Sequence, residues 1–116
     1  SAAIYVADNL IDEEAFIHVY DPKVSAKQMH SDLNNLNSRE KSLNKRMLNV
    51  EKSPYDASKN SHAIAILTEW DEFKEYDWKK IYASMNKPAF IFDGLNILDK
   101  IKLEKIGFIY KAIGKQ

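Results

Sequence analysis

Lys87-Pro88-Ala89-Phe90-Ile91-Phe92-Asp93-Gly94-Leu95-Asn96 is the stretch on which the fold turns. Ala89 to Phe92 is apolar without a break, carries aromatic and β-branched side chains, and does not alternate with polar ones. A strand built this way fits a parallel sheet covered on both faces by helices. Pro88 stands at the strand's entry, where its missing N–H does little harm. Asp93-Gly94 then breaks the run with turn residues at the strand's carboxyl end. In open α/β sheets that end is where ligands bind. Core strand and first candidate binding loop are therefore neighbours in sequence.

Outward from this stretch the chain alternates. Downstream, Leu98, Leu103 and Ile106 mark a helix closed by Gly107, a natural residue after a helix end. Phe108 to Ile113 reads as the last strand, ended by Gly114. Upstream, Trp78, Ile81, Tyr82 and Met85 form the apolar stripe of a helix, with Asp71 and Asp77 as N-caps and Phe73 tucked between them. His62-Ala63-Ile64-Ala65-Ile66-Leu67-Thr68 is a second continuous apolar run, again a strand expected to be covered on both faces. Ser53-Pro54-Tyr55-Asp56 starts a short helix, with Ser53 as cap and Pro54 at the first helical position. Residues 31–50 are crowded with Asn, Ser, Lys and Arg and read as a variable surface excursion, with a helical turn or two around Leu43, Met47 and Leu48. Val50 would add an edge strand. Ser25 caps a short helix carrying Met29 and Leu33. Phe16 to Tyr20 is a strand stopped by Asp21-Pro22, and Ala3, Ile4, Ala7, Leu10 and Ile11 give an amphipathic helix over Ala2 to Glu13.

Alternating elements of this length imply βαβ units and a mainly parallel sheet with right-handed crossovers. A helix at the start with no strand before it looks like a unit whose first, central strand has been removed. The expectation is one domain over residues 1–116, and a fragment.

Composition sets the bounds. The 116 residues suit one small domain, 45% are hydrophobic, and 17 Lys and Arg balance 17 Asp and Glu. A field for nucleic acid is absent, and no apolar run nears the ~20 residues of a membrane span. Ser1-Ala2-Ala3-Ile4 lacks the charged start of a signal peptide. Without cysteine there is no disulfide, thiolate metal site or cysteine nucleophile within these residues. The bounds point to one soluble intracellular domain.

Candidate chemistry is sparse. Three glycines form no G-x-G-x-x-G phosphate loop. His18, His30 and His62 share no metal-like spacing and read as ordinary strand or helix residues. The basic residues of 31–50 read as a solvated face. Asp21, Thr68 and Asp93 each sit at or just past a strand's carboxyl end and are candidates to meet in one crevice. The plainer reading makes Asp21 and Asp93 turn formers beside Pro22 and Gly94. Trp70 and Trp78 read as packing over helix ends.

Particular strings go further. Val19-Tyr20-Asp21-Pro22-Lys23-Val24, Ser53-Pro54-Tyr55-Asp56-Ala57, His62-Ala63, Thr68-Glu69-Trp70, Phe73, Lys87-Pro88 and Phe92-Asp93-Gly94, in this order from near Ala3 to Gly114, resemble the UDP-glucose 6-dehydrogenases. The likeness is to the C-terminal, UDP-sugar-binding domain of the animal-type enzymes. It implies a Rossmann-like three-layer domain closing over UDP-glucose, which the complete enzyme oxidises to UDP-glucuronate with NAD. The family's catalytic cysteine, NAD-binding loop and dimerisation helices have no counterpart in these residues. NAD would therefore be bound by a missing N-terminal domain, with no catalytic or metal-binding residue here. The resemblance also implies a cytoplasmic homo-oligomer that contacts neither nucleic acid nor membrane.

It places substrate-binding residues at Asp93, Gly94 and Leu95. The family reads Phe-Asp-Gly-Arg, and its arginine contacts the nucleotide sugar; here that position is Leu95. Arginine supplies a charge-assisted, bidentate contact and leucine supplies none. A divergent copy, an altered chain or a shifted loop would each explain the change, and a leucine packed against Ile97 or Leu98 is the plain alternative. The rival readings are a non-catalytic paralogue kept for assembly or regulation, and a receiver-like α/β module. The second is disfavoured by Thr68 standing where an acidic phosphoacceptor is wanted.

Overall fold

The structure, a computed structural model, describes residues 2–113 and divides into two compact units, Ser1–Ala57 and Ser58–Gln116. All strand pairings are parallel. The first unit pairs β1 (Ile17–Val19) with β2 (Leu48–Val50), in the register Ile17 with Leu48 and Val19 with Val50. The second has the order β3 (Ala63–Ile66), β4 (Phe90–Asp93), β5 (Ile109–Ala112). The mixed α/β architecture with parallel strands is what the alternation predicts, and it is consistent with the Rossmann-like domain that the resemblance implies.

In the first unit, α1 (Ala2–Asp12) packs against α2 (Ala26–Leu36) and against β1. The apolar spacing of α1 brings Ile11 into a core with Met29, Leu33, Met47 and Leu48, against which Ile4, Ala7, Ile17 and Val19 pack. Ser25 caps α2 as expected, its Oγ accepting from the Gln28 amide at 3.1 Å. Residues 31–50 are more ordered than a surface excursion. They hold the second half of α2, α3 (Lys41–Met47) and β2, and Leu33, Asn44, Met47 and Leu48 are buried. The helical turn expected around Leu43 and Met47 is α3, and the edge strand expected at Val50 is β2; what apolar spacing does not show is the polar network beside them. Asn44, fully buried, accepts from Arg39 Nε at 2.8 Å and donates to Asn34 at 2.8 Å. Ser53 caps α4 (Pro54–Ser58) through the Asp56 amide at 3.0 Å.

In the second unit, α5 (Trp78–Ser84) and α6 (Lys100–Ile106) supply Trp78, Ile81 and Leu103 to the core. Asp77 caps α5, accepting from the Lys80 amide. Asp71 is not a cap. It is the first residue of a 3₁₀ turn, Asp71–Glu75, whose cap position is taken by Trp70 with no side-chain cap hydrogen bond. Gly107 closes α6 with φ 131°, and a Cβ there would stand 2.6 Å from the Tyr82 ring.

The sheet buries one face, with Ile66, Ile91 and Tyr110, more fully than the other. Opposite them Ala63, Ala65 and Ile109 are exposed, so β3 is not covered on both faces within its unit. An unbroken apolar run reports what a strand tolerates; alanine tolerates either side. Gly114, read as the end of the last strand, lies outside the described residues.

Candidate functional site

The loop leaving β4 is built around one carboxylate. Asp93 is fully buried. Its Oδ1 accepts from the Leu95 amide at 3.2 Å, and its Oδ2 accepts from the Leu98 amide at 2.9 Å and from the Tyr110 hydroxyl at 2.7 Å. A buried carboxylate is tolerable only with such partners. The register sets Tyr110 opposite Ile91, so its ring runs along the sheet to meet Asp93, itself opposite Ala112. Burial, the Asp93 hydrogen bond and the Asp93 charge all push the Tyr110 phenol above the ordinary tyrosine value, keeping it a neutral donor.

Gly94 follows at a close approach. Its amide donates to the Ile66 carbonyl at 3.0 Å, and a Cβ would lie 2.9 Å from that same oxygen. Only glycine fits without moving the end of β3. Asn96 holds a left-handed φ of 56°, which asparagine tolerates. Between these fixed points Leu95 has its amide tied to Asp93 and its side chain 41% exposed. It is not a packed core leucine. The three residues are brought together as a rigid turn, in which Asp93 faces inward, Gly94 permits the turn and position 95 points out.

Several of the other candidates have structural partners. Asp21 turns its Oδ1 onto the Lys23 amide at 2.8 Å, the turn expected beside Pro22; it lies in the first unit, Thr68 and Asp93 in the second. His18 pairs with Glu51 at 2.8 Å, and His30 meets the Ala26 and Leu48 carbonyls at 3.0 and 2.8 Å. Trp78 donates to the Phe73 carbonyl at 2.9 Å inside an aromatic cluster. Among the described residues no group of three potential ligands is placed to hold a metal ion. Tyr110 was not legible as part of the site; the available signal is a tyrosine hydroxyl in the last strand, beside a strand ending in a carboxylate.

A loop so fixed stands at the carboxyl end of a parallel strand, where open α/β sheets bind ligands. The family model described as "UDP-glucose/GDP-mannose dehydrogenase family, UDP binding domain" matches residues 1–100. The chain belongs to this dehydrogenase family. It is 44% identical over its whole length to the UDP-glucose 6-dehydrogenase of Pongo abelii. To that of Caenorhabditis elegans it is 46% identical over 98% of its length, and to UDP-glucose 6-dehydrogenase 1 of Arabidopsis thaliana 41% over 97%. The chain spans about a quarter of each relative: 24%, 23% and 26%. The match crosses both compact units, so the family's UDP binding domain includes the polar-knit first unit as well as the loop at Asp93.

For a member of this dehydrogenase family the dinucleotide is the first cofactor to test against the residues present. They do not fit it. Gly107 closes a helix rather than opening one, and Gly94 is occupied by its contact with Ile66. Neither offers a strand-to-helix turn of amides for a diphosphate.

Proposed function

We propose that residues 1–116 act as one UDP-sugar-binding domain, the C-terminal part of an NAD-dependent enzyme that oxidises UDP-glucose to UDP-glucuronate. The family match and the identity to UDP-glucose 6-dehydrogenases support this reading. The observation that carries the site is the loop Asp93–Asn96: a buried carboxylate fixes its backbone while residue 95 is exposed. In this reading Asp93 and Gly94 position the loop, and residue 95 faces the nucleotide sugar. The chain's own residues bind and orient. Hydride acceptance belongs to NAD on another part of the subunit, and the covalent step to a thiol that these residues lack. We further propose a cytoplasmic homo-oligomer that uses no membrane and no nucleic acid. No helix among the described residues is long and apolar enough to cross a membrane.

Steady-state assays with UDP-glucose and NAD, on the purified chain and on the complete subunit, test this. The complete subunit is expected to reduce NAD and the isolated chain to show no turnover. Turnover by the chain alone would overturn the division of labour. A complete subunit that binds neither UDP-glucose nor NAD would favour the second reading, a non-catalytic paralogue kept for assembly, toward which Leu95 in place of the family's arginine points.

A further inference from the structure

Beside the loop, within the second unit, lies a cavity of about 410 Å³ whose apolar lining is Trp78, Ile97, Leu98 and Leu103 and whose cationic lining is Lys74 and Lys102. Its volume falls in the range of small-ligand sites, about 300–1,000 Å³. Trp78 and Leu103 are buried, so the inner wall belongs to the fixed core, while the two lysines are exposed. The cavity is held open from the site side, because Leu98 is pinned by its amide to Asp93 Oδ2 at 2.9 Å. Asp99 is the carboxylate on the lining, and its Oδ1 is engaged by the Lys102 amide at 3.1 Å. Two exposed lysines on the lining outnumber the single carboxylate, and beside an aromatic and aliphatic wall they favour a ligand with a flat apolar body and an anionic end.

We propose that this cavity is a second binding site, separate from position 95, for a small aromatic phosphate. The ring lies against Trp78, Ile97 and Leu103, and Lys74 and Lys102 take the phosphate. Leu95 is not part of the lining, so this site stands or falls independently of the UDP-sugar reading.

The test is titration of the 116-residue chain with phenyl phosphate, followed by two-dimensional amide and indole NMR. Saturable shifts are expected at the Trp78 indole and at the amides of Ile97, Leu98 and Lys102. Phenol and inorganic phosphate should each bind more weakly than phenyl phosphate. Lys74→Gln and Lys102→Gln should each weaken binding about twofold to fivefold, as an exposed ionic contact does. The same spectra establish that each variant is folded. The proposal is overturned if the double variant binds as the parent does, if inorganic phosphate binds as tightly as phenyl phosphate, or if the shifts fall outside this cavity or do not saturate.

Discussion

In the first unit the guanidinium of Arg39 reaches Asn44, Asp8 and Asp12, and Asn44 in turn holds Asn34 and Asn37. In the second the corresponding work is done by rings. Trp78 and Tyr82 both stand edge-on to Phe108, with centroids 6.1 and 5.1 Å apart, and Tyr76 joins Trp78 to Phe73. Among the described residues the second unit's buried charge is Asp93, and it serves a loop rather than the core. The difference teaches where specificity comes from in each half. A satisfied polar network fixes one arrangement because every alternative leaves a buried donor or acceptor unpaired. An aromatic cluster gains more from area, is less directional, and leaves the one carboxylate free to define a turn.

The largest expected effect breaks the aromatic side of that comparison. Phe108→Ala, at a residue only 3% exposed, should lower the unfolding free energy by about 3–5 kcal/mol, measured by chemical denaturation. Loss of less than about 1 kcal/mol would show that the rings are not the unit's main support. Next comes the polar side. Asn44→Leu removes the amide that Arg39 and Asn34 share and should cost about 2–3 kcal/mol, because both partners lose a buried hydrogen bond. An apolar replacement that stabilised the fold instead would mean that the network sets specificity at the expense of stability.

Tyr110→Phe should cost about 1–1.5 kcal/mol, leaving Asp93 with the Leu95 and Leu98 amides. It carries a pH signature of known sign. The folded state raises the Tyr110 phenol above its unfolded value of about 10, so its contribution is complete below that pH and is lost as pH rises above it. The parent should therefore lose stability above about pH 10 more steeply than Tyr110→Phe. Parallel alkaline profiles would contradict the inward, hydrogen-bonded tyrosine.

The same contrast explains how much of the molecule was legible in sequence. Ala89–Phe92, the stripe of α5 and the Gly107 stop follow apolar periodicity and turn chemistry, so the strands and helices of the second unit could be read to within a residue or two. Within residues 31–50 the helical turn at Leu43 and Met47 and the strand at Val50 could be read, but the burial of Asn44 could not, because its partners are amides and one guanidinium whose pairing is invisible to hydropathy. The inward-facing Asp93 was half legible. Asp-Gly announced a turn, but the amide of Leu98 and the hydroxyl of Tyr110 come from positions that no local pattern links to it. Position 95 was marked by resemblance to the dehydrogenases, and its exposure needed the structure.

The smallest expected change in stability comes from the substitution that bears most on function. Leu95→Arg, at a 41% exposed side chain on a loop fixed by Asp93, should alter unfolding free energy by no more than about 0.5 kcal/mol. Calorimetric titration of UDP-glucose into the complete subunit, with and without this substitution, is the direct measurement. If residue 95 faces the nucleotide sugar, arginine gains a charge-assisted contact of about 1.5–3 kcal/mol, so affinity should rise roughly tenfold to a hundredfold and part of the gain should fade with salt. Unchanged affinity with unchanged stability would contradict the account, because it would leave the loop at Asp93 fixed, exposed and not in contact with the ligand.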